Sequence, residues 1–150
     1  LIASIMTIDR YTELPSYRVF AHGTSRAYAE AIIAVGLNEM AAKKASRGGT
    51  ANRPGAFHTY EIGPPENPGP GFQMAYEFGQ RHDPTPVILV GQVPAVVIDE
   101  LRGQAQILVE PTPDASGYPD VPPQTVFLPM TYPRLNECTL WQIVVVPTHQ

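Results

Sequence analysis

Seventeen prolines and twelve glycines cut this chain into short segments, and that punctuation limits the fold more than any other feature. Proline has no backbone N–H and collides with the preceding helical turn, so long helices do not survive such spacing. Inner strands also stop where a proline stands. The pattern predicts short strands and short helices joined by loops rather than a helical bundle. A length of 150 residues suits one domain around one core, with residues 1–16 as an N-terminal extension.

Composition narrows the function classes. Hydrophobic residues make up 43% of the chain and charged residues 16%, a globular balance. A net charge of −4 argues against a basic face covering the molecule, such as general nucleic-acid binding requires. The single cysteine, Cys138, excludes an internal disulfide and a Cys-based zinc site within one chain; no metal site is expected. No apolar run approaches the ~18 residues of a transmembrane helix, so no membrane partner is expected. The first residue is Leu rather than Met, which reads as a domain excised from a longer protein.

Short elements follow in order. Tyr17 to Ala21 reads as a strand ending in a turn that carries His22 and Gly23. Arg26 to Val35 follows with helical spacing, with Thr24 and Ser25 as candidate caps and Gly36 as the stop. A second short helix is expected within residues 37–47, then a loop with Arg47 and Arg53. Gly55 to Tyr60 reads as a strand, with Ile62 as its extension. A Pro-rich loop leads to a helix from Phe72 to Arg81. Thr85 to Val93 is nearly continuous in apolar residues and predicts a central strand buried on both faces. Ala95 to Leu101 is a short helix or turn. Strands are expected at residues 104–109, 124–129 and 140–146, with a Pro-rich loop at 111–123 and a turn from Tyr132 to Glu137.

The stretch Tyr17-Arg18-Val19-Phe20-Ala21-His22-Gly23-Thr24-Ser25, its helix and Gly36-Leu37 resemble the first motif of the ADP-ribosyltransferase superfamily. Gly55-Ala56-Phe57, a loop and the helix at Ala75-Tyr76 resemble the second. The resemblance implies an α+β fold, with two small β-sheets packed face to face, flanking helices and a cleft for NAD. It implies that His22 binds a ribose hydroxyl, that the Gly23 backbone meets the nicotinamide amide, and that Thr24 and Ser25 border the cofactor. Phe57 stands where the family most often has the Tyr that stacks on nicotinamide. A phenyl ring keeps that π-face. His58 and Tyr60 fall on the other side of the strand from Phe57, and His58 receives no role.

The family's third motif is a Glu or other polar residue heading a late strand, where it favours positive charge on the departing sugar. Gln124 heads Thr125-Val126-Phe127 and is the matching residue; Glu137, near Trp141, is the rival. A Gln offers a dipole where a Glu offers a charge. The resemblance implies an NAD-consuming ADP-ribosyltransferase of the effector or toxin type, modifying a macromolecular acceptor in a target cell's cytoplasm. A cognate immunity protein is then an expected partner. An RNA 2′-phosphotransferase-like enzyme of the same fold is the second enzyme reading, carried by His22 to Arg26 and Gly79 to His82. A degenerate NAD-binding or interaction module is the third, carried by Phe57 and Gln124.

Overall fold

In the computed structural model, which describes residues 11–45, 53–112 and 121–146, the Val87–Pro94 strand (β3) has seven of its eight residues buried. Such a strand needs a partner on each edge and a packed layer on each face. β1 (Tyr17–Thr24) pairs along its whole length on one edge, and β6 (Leu140–Val145) on the other. β2 (Phe57–Ile62), β4 (Ile107–Glu110) and β5 (Gln124–Phe127) complete a six-stranded sheet of order β4-β5-β2-β1-β3-β6, antiparallel at every pairing.

The expected pair of separate sheets gives way to one hydrogen-bonded ladder with a seam inside β2. Residues Tyr60, Glu61 and Ile62 pair with β1, whereas Phe57, His58 and Thr59 pair with β5. One strand is thus shared between a three-stranded part, β4-β5-β2, and a four-stranded part, β2-β1-β3-β6. Phe20 of β1 and Phe127 of β5 are not on neighbouring strands, yet their ring centroids lie 5.1 Å apart, edge to face. Flat strands two places apart are separated by about 10 Å. The two parts therefore fold toward each other about β2, over a shared core.

Helices cover both faces. α1 (Arg26–Val35), α4 (Ala95–Gly103) and α5 (Tyr132–Cys138) send Ala29, Ile32, Val97, Ile98, Leu101 and Leu135 onto Phe20, Leu89 and Phe127. α3 (Pro70–Gln80) sends Phe72 and Ala75 onto Val19, Ala21, Ile88 and Val90 on the opposite face. α2 (Glu39–Ala45) is the short helix anticipated after Gly36-Leu37. The segment before β1 is tied down as well: the Leu14 N–H donates to Gln92 Oε1 at 3.1 Å, and Tyr11 is buried.

Three differences from the sequence reading have physical causes. β1 runs on through His22, Gly23 and Thr24, which pair with Leu89, Ile88 and Val87; the expected turn is strand. Residues 132–138 form a helix rather than a turn, because Pro133 stands in its first turn, where proline's missing N–H costs nothing. Leu135 does point inward, as anticipated. The strand expected at 104–109 starts later, after Ala105, which adopts φ 58°.

Candidate functional site

The site grows out of the seam in the sheet. Ala21 and Tyr60 are the last residues of β1 and β2 that pair. Beyond them β2 pairs with β5 in place of β1. The imidazole of His22 bridges the two strands there: its Nδ1 lies 2.6 Å from the carbonyl oxygen of His58 and donates to it. That bond assigns the proton to Nδ1 and leaves Nε2 with a lone pair. Burial, the largest influence, lowers the His22 pKa to about 4, against the helping bond from His58 O. The ring is therefore neutral at pH 7, an acceptor and not a cation.

A cavity of about 530 Å³ opens beside the seam. Its volume falls in the range of small-molecule and cofactor sites. His22, Gly23, Thr24, Ser25, Phe57 and Gln124 all line it, brought together from β1, β2, β5 and the start of α1. Glu137 does not: it is exposed on α5 and lies outside the lining. Of the two candidates for the third position, Gln124 shares the cavity with His22.

Each of these residues is held for a reason. Ser25 is the N-cap of α1, its Oγ accepting from the Tyr28 N–H at 3.1 Å. Thr24 is a buried strand residue instead of a cap. Gly23 is dictated by packing. A Cβ there would fall inside the Ala75 carbonyl oxygen and 2.7 Å from its carbon, so only glycine lets α3 lie this close to β1. The space a Cβ would take at Gly23 is filled by the helix.

Phe57 lies beside His22, centroids 4.5 Å apart and planes tilted by 38°. Trp141 meets the Phe57 ring edge to face at 5.8 Å. With 4% of its surface exposed, Phe57 is a core residue whose clearest task is to brace the imidazole. Gly55, at φ 90°, sets up its strand, and the Gly55 carbonyl accepts from the Tyr132 hydroxyl at 2.6 Å.

Gln124 opens β5 and is buried at 4% exposure. The Tyr60 hydroxyl donates to Thr112 Oγ1 at 3.0 Å, and Thr112 in turn donates to the Pro122 carbonyl at 2.6 Å. Burial raises the Tyr60 pKa, opposed by its bonds to Thr112 and to the Gln124 side chain. The other end of that amide, Oε1, is buried with no hydrogen-bond partner among the described residues. A buried acceptor left unpaired costs about 1–3 kcal/mol, and such groups mark sites where a ligand or another function completes the bond.

The lining also includes Tyr28, Tyr60, Phe78 and His58, which the sequence reading left without a site role, and His82, which entered it only within the stretch Gly79 to His82. Ala75 and Phe78 stand three apart on α3, so helical spacing places both on the face that closes the cavity. Among the described residues the lining holds no Arg, Lys, Asp or Glu. Arg53 is engaged elsewhere, its Nε 3.0 Å from Glu110 Oε1; Arg47 lies outside the described residues. No group of His, Cys, Asp and Glu suited to a metal ion occurs among the described residues. No helix among them is long and apolar enough to cross a membrane.

Comparisons with family models, with curated proteins and with solved structures find no match to this chain.

Proposed function

We propose that the cavity binds NAD as a substrate and that the protein is an ADP-ribosyltransferase-like enzyme. It would break the bond between nicotinamide nitrogen and ribose carbon and pass ADP-ribose to a macromolecular acceptor. The observation that carries this reading is the buried, unpartnered Oε1 of Gln124, a residue that lines the same cavity as His22. Two neutral acceptors, His22 Nε2 and Gln124 Oε1, suit a ligand rich in hydroxyl and amide donors, which ribose and nicotinamide provide. The resemblance of the His22-Gly23-Thr24-Ser25 unit to the superfamily's first motif adds the choice of nucleotide.

In the reaction, the glycosidic bond breaks with its electron pair staying on nicotinamide, which leaves as a neutral molecule. An acceptor oxygen or nitrogen then bonds to the ribose carbon and releases its proton to solvent. Water in place of the acceptor gives hydrolysis. His22 holds and orients a hydroxyl through Nε2, and its neutral state keeps a positive charge away from the positive sugar. Gln124 offers the amide dipole that a Glu would offer as charge. The acceptor, an effector role and an immunity partner belong to the same proposal.

A second reading, an NAD-binding module without turnover, is favoured by one feature: no carboxylate lines the cavity among the described residues. The RNA 2′-phosphotransferase reading asks for clustered arginines, and the described lining has none. Release of free nicotinamide from NAD, with protein and RNA acceptors supplied, separates the readings. Release by the wild type, lost in His22→Ala, supports the enzyme. Tight NAD binding without release supports the module. Absence of NAD binding removes both.

A further inference from the structure

We propose that Arg81 is the cation that receives the phosphates of a nucleotide diphosphate entering this cavity. The inference rests on reading the cavity as a nucleotide site, and it supplies the charge that the lining itself lacks. A neutral lining of aromatic and imidazole groups holds a base or a sugar well, but a diphosphate carries negative charge that needs a partner.

Arg81 caps the C-terminal end of α3, between Phe78 and His82, both of which line the cavity. Its guanidinium carbon stands 4.2 Å from the centroid of the Phe78 ring. The ring orders a side chain that would otherwise be mobile, at the place where the cavity wall is made. Phe78 in turn packs against Tyr60, centroids 6.1 Å apart, and the positive charge of Arg81 is felt at the Tyr60 phenol. Tyr60 is the neighbour of Gln124. Arg81 and Gln124 thus both act on Tyr60, which lines the cavity.

Arg81 also has its charge to offer. Arg18, Arg53 and Arg134 are paired with Glu61, Glu110 and Glu100, whereas Arg81 forms no ion pair among the described residues. Glu77, one turn earlier, influences Tyr60 but does not close onto Arg81. Asp83 accepts from the Thr85 N–H at 2.8 Å, a local turn contact. The negative end of the α3 dipole opposes an anion here, but it amounts to about half a charge against a full one. Arg26 and Arg102 are likewise without an ion pair among the described residues, but of the three Arg81 is the one stacked on a ring that lines the cavity.

The test is equilibrium binding of ADP, NAD and nicotinamide riboside to wild type, Arg81→Gln and Arg81→Lys, each at low and high salt. Arg81→Gln should weaken ADP and NAD about tenfold or more and flatten their salt dependence, leaving nicotinamide riboside unchanged. Arg81→Lys should fall between, since it keeps the charge and loses the planar fork. Equal ADP affinity in wild type and Arg81→Gln overturns the assignment. So does failure of the wild type to bind ADP; nicotinamide riboside binding would then show that the NAD reading stands without it. Arg81-dependent ADP binding with no NAD binding would uphold the cation site and remove the NAD reading. Thermal melts of the variants, expected to match the wild type because Arg81 is exposed, check that folding is intact.

Discussion

His22 Nδ1 donates to the carbonyl oxygen of His58 across 2.6 Å, at the point where β1 and β2 part. The bond does two things at once. It ties the His58 carbonyl to β1 where the pairing of β1 with β2 ends, and it turns the lone pair of Nε2 into the ring's remaining polar function. A structural need and a binding function thus share one side chain.

That arrangement predicts a pH dependence. Unfolded, His22 takes a proton near its ordinary value of 6.5; folded, burial lowers this to about 4. Between those values the unfolded state binds more protons, so stability rises with pH through this window and is lost as pH falls through it. His58 shifts in the same direction, also through burial. Urea unfolding near pH 7 and near pH 5 should differ by on the order of 2 kcal/mol. His22→Asn should remove the larger part of that difference. A wild-type stability flat across the window would contradict the neutral, buried imidazole.

Gly23 gives a prediction that separates packing from ligand contact. Gly23→Ala places a methyl group inside the Ala75 carbonyl oxygen, where neither backbone gives way cheaply. The variant should lose about 3 kcal/mol or more, or fail to fold. Gly79→Ala meets Pro86 Cβ at 2.9 Å and Gly23 Cα at 3.2 Å, so its cost should be smaller. Denaturant midpoints measure both. A Gly23→Ala protein as stable as the wild type would show that α3 does not pack as described.

Much of this architecture was legible because it rests on local pattern. β3 declared itself by an uninterrupted apolar run, and α1 by its spacing between Ser25 and Gly36. The seam was not legible. Nothing local to Phe57–Ile62 says that half the strand pairs with β1 and half with β5, because pairing is set by distant residues. His22 and Gly23 read as a turn because their residue types favour turns; full pairing with β3 overrides that preference. Gln124 was legible only as a strand head, and its buried oxygen only as a fact of three dimensions. Phe78 was within reach, since its spacing from Ala75 already placed it on one helix face.

Glu137 supplies a negative control. It is exposed on α5 and does not line the cavity. Glu137→Gln should leave NAD binding and nicotinamide release within about twofold of the wild type, and stability within about 0.5 kcal/mol. A large loss of turnover would reopen the choice between Glu137 and Gln124.

Asn136, next to it, has a structural task. Its Oδ1 accepts from the Leu37 N–H at 2.7 Å and its Nδ2 donates to the Leu37 carbonyl at 3.2 Å, locking the turn after α1 onto α5. Asn136→Ala should cost about 1–2 kcal/mol in denaturant unfolding with NAD affinity unchanged. Unaltered stability would mean that α1 is positioned by its apolar face alone.

The most direct test is NAD affinity and unfolding free energy measured side by side for the wild type and Gln124→Leu. If the Gln124 oxygen is kept unpaired for a ligand, the leucine variant should bind NAD about tenfold more weakly. Relieved of a buried orphan acceptor, it should also be as stable as the wild type or more so. Equal NAD affinity in the two proteins, or no NAD binding by the wild type, would contradict the account.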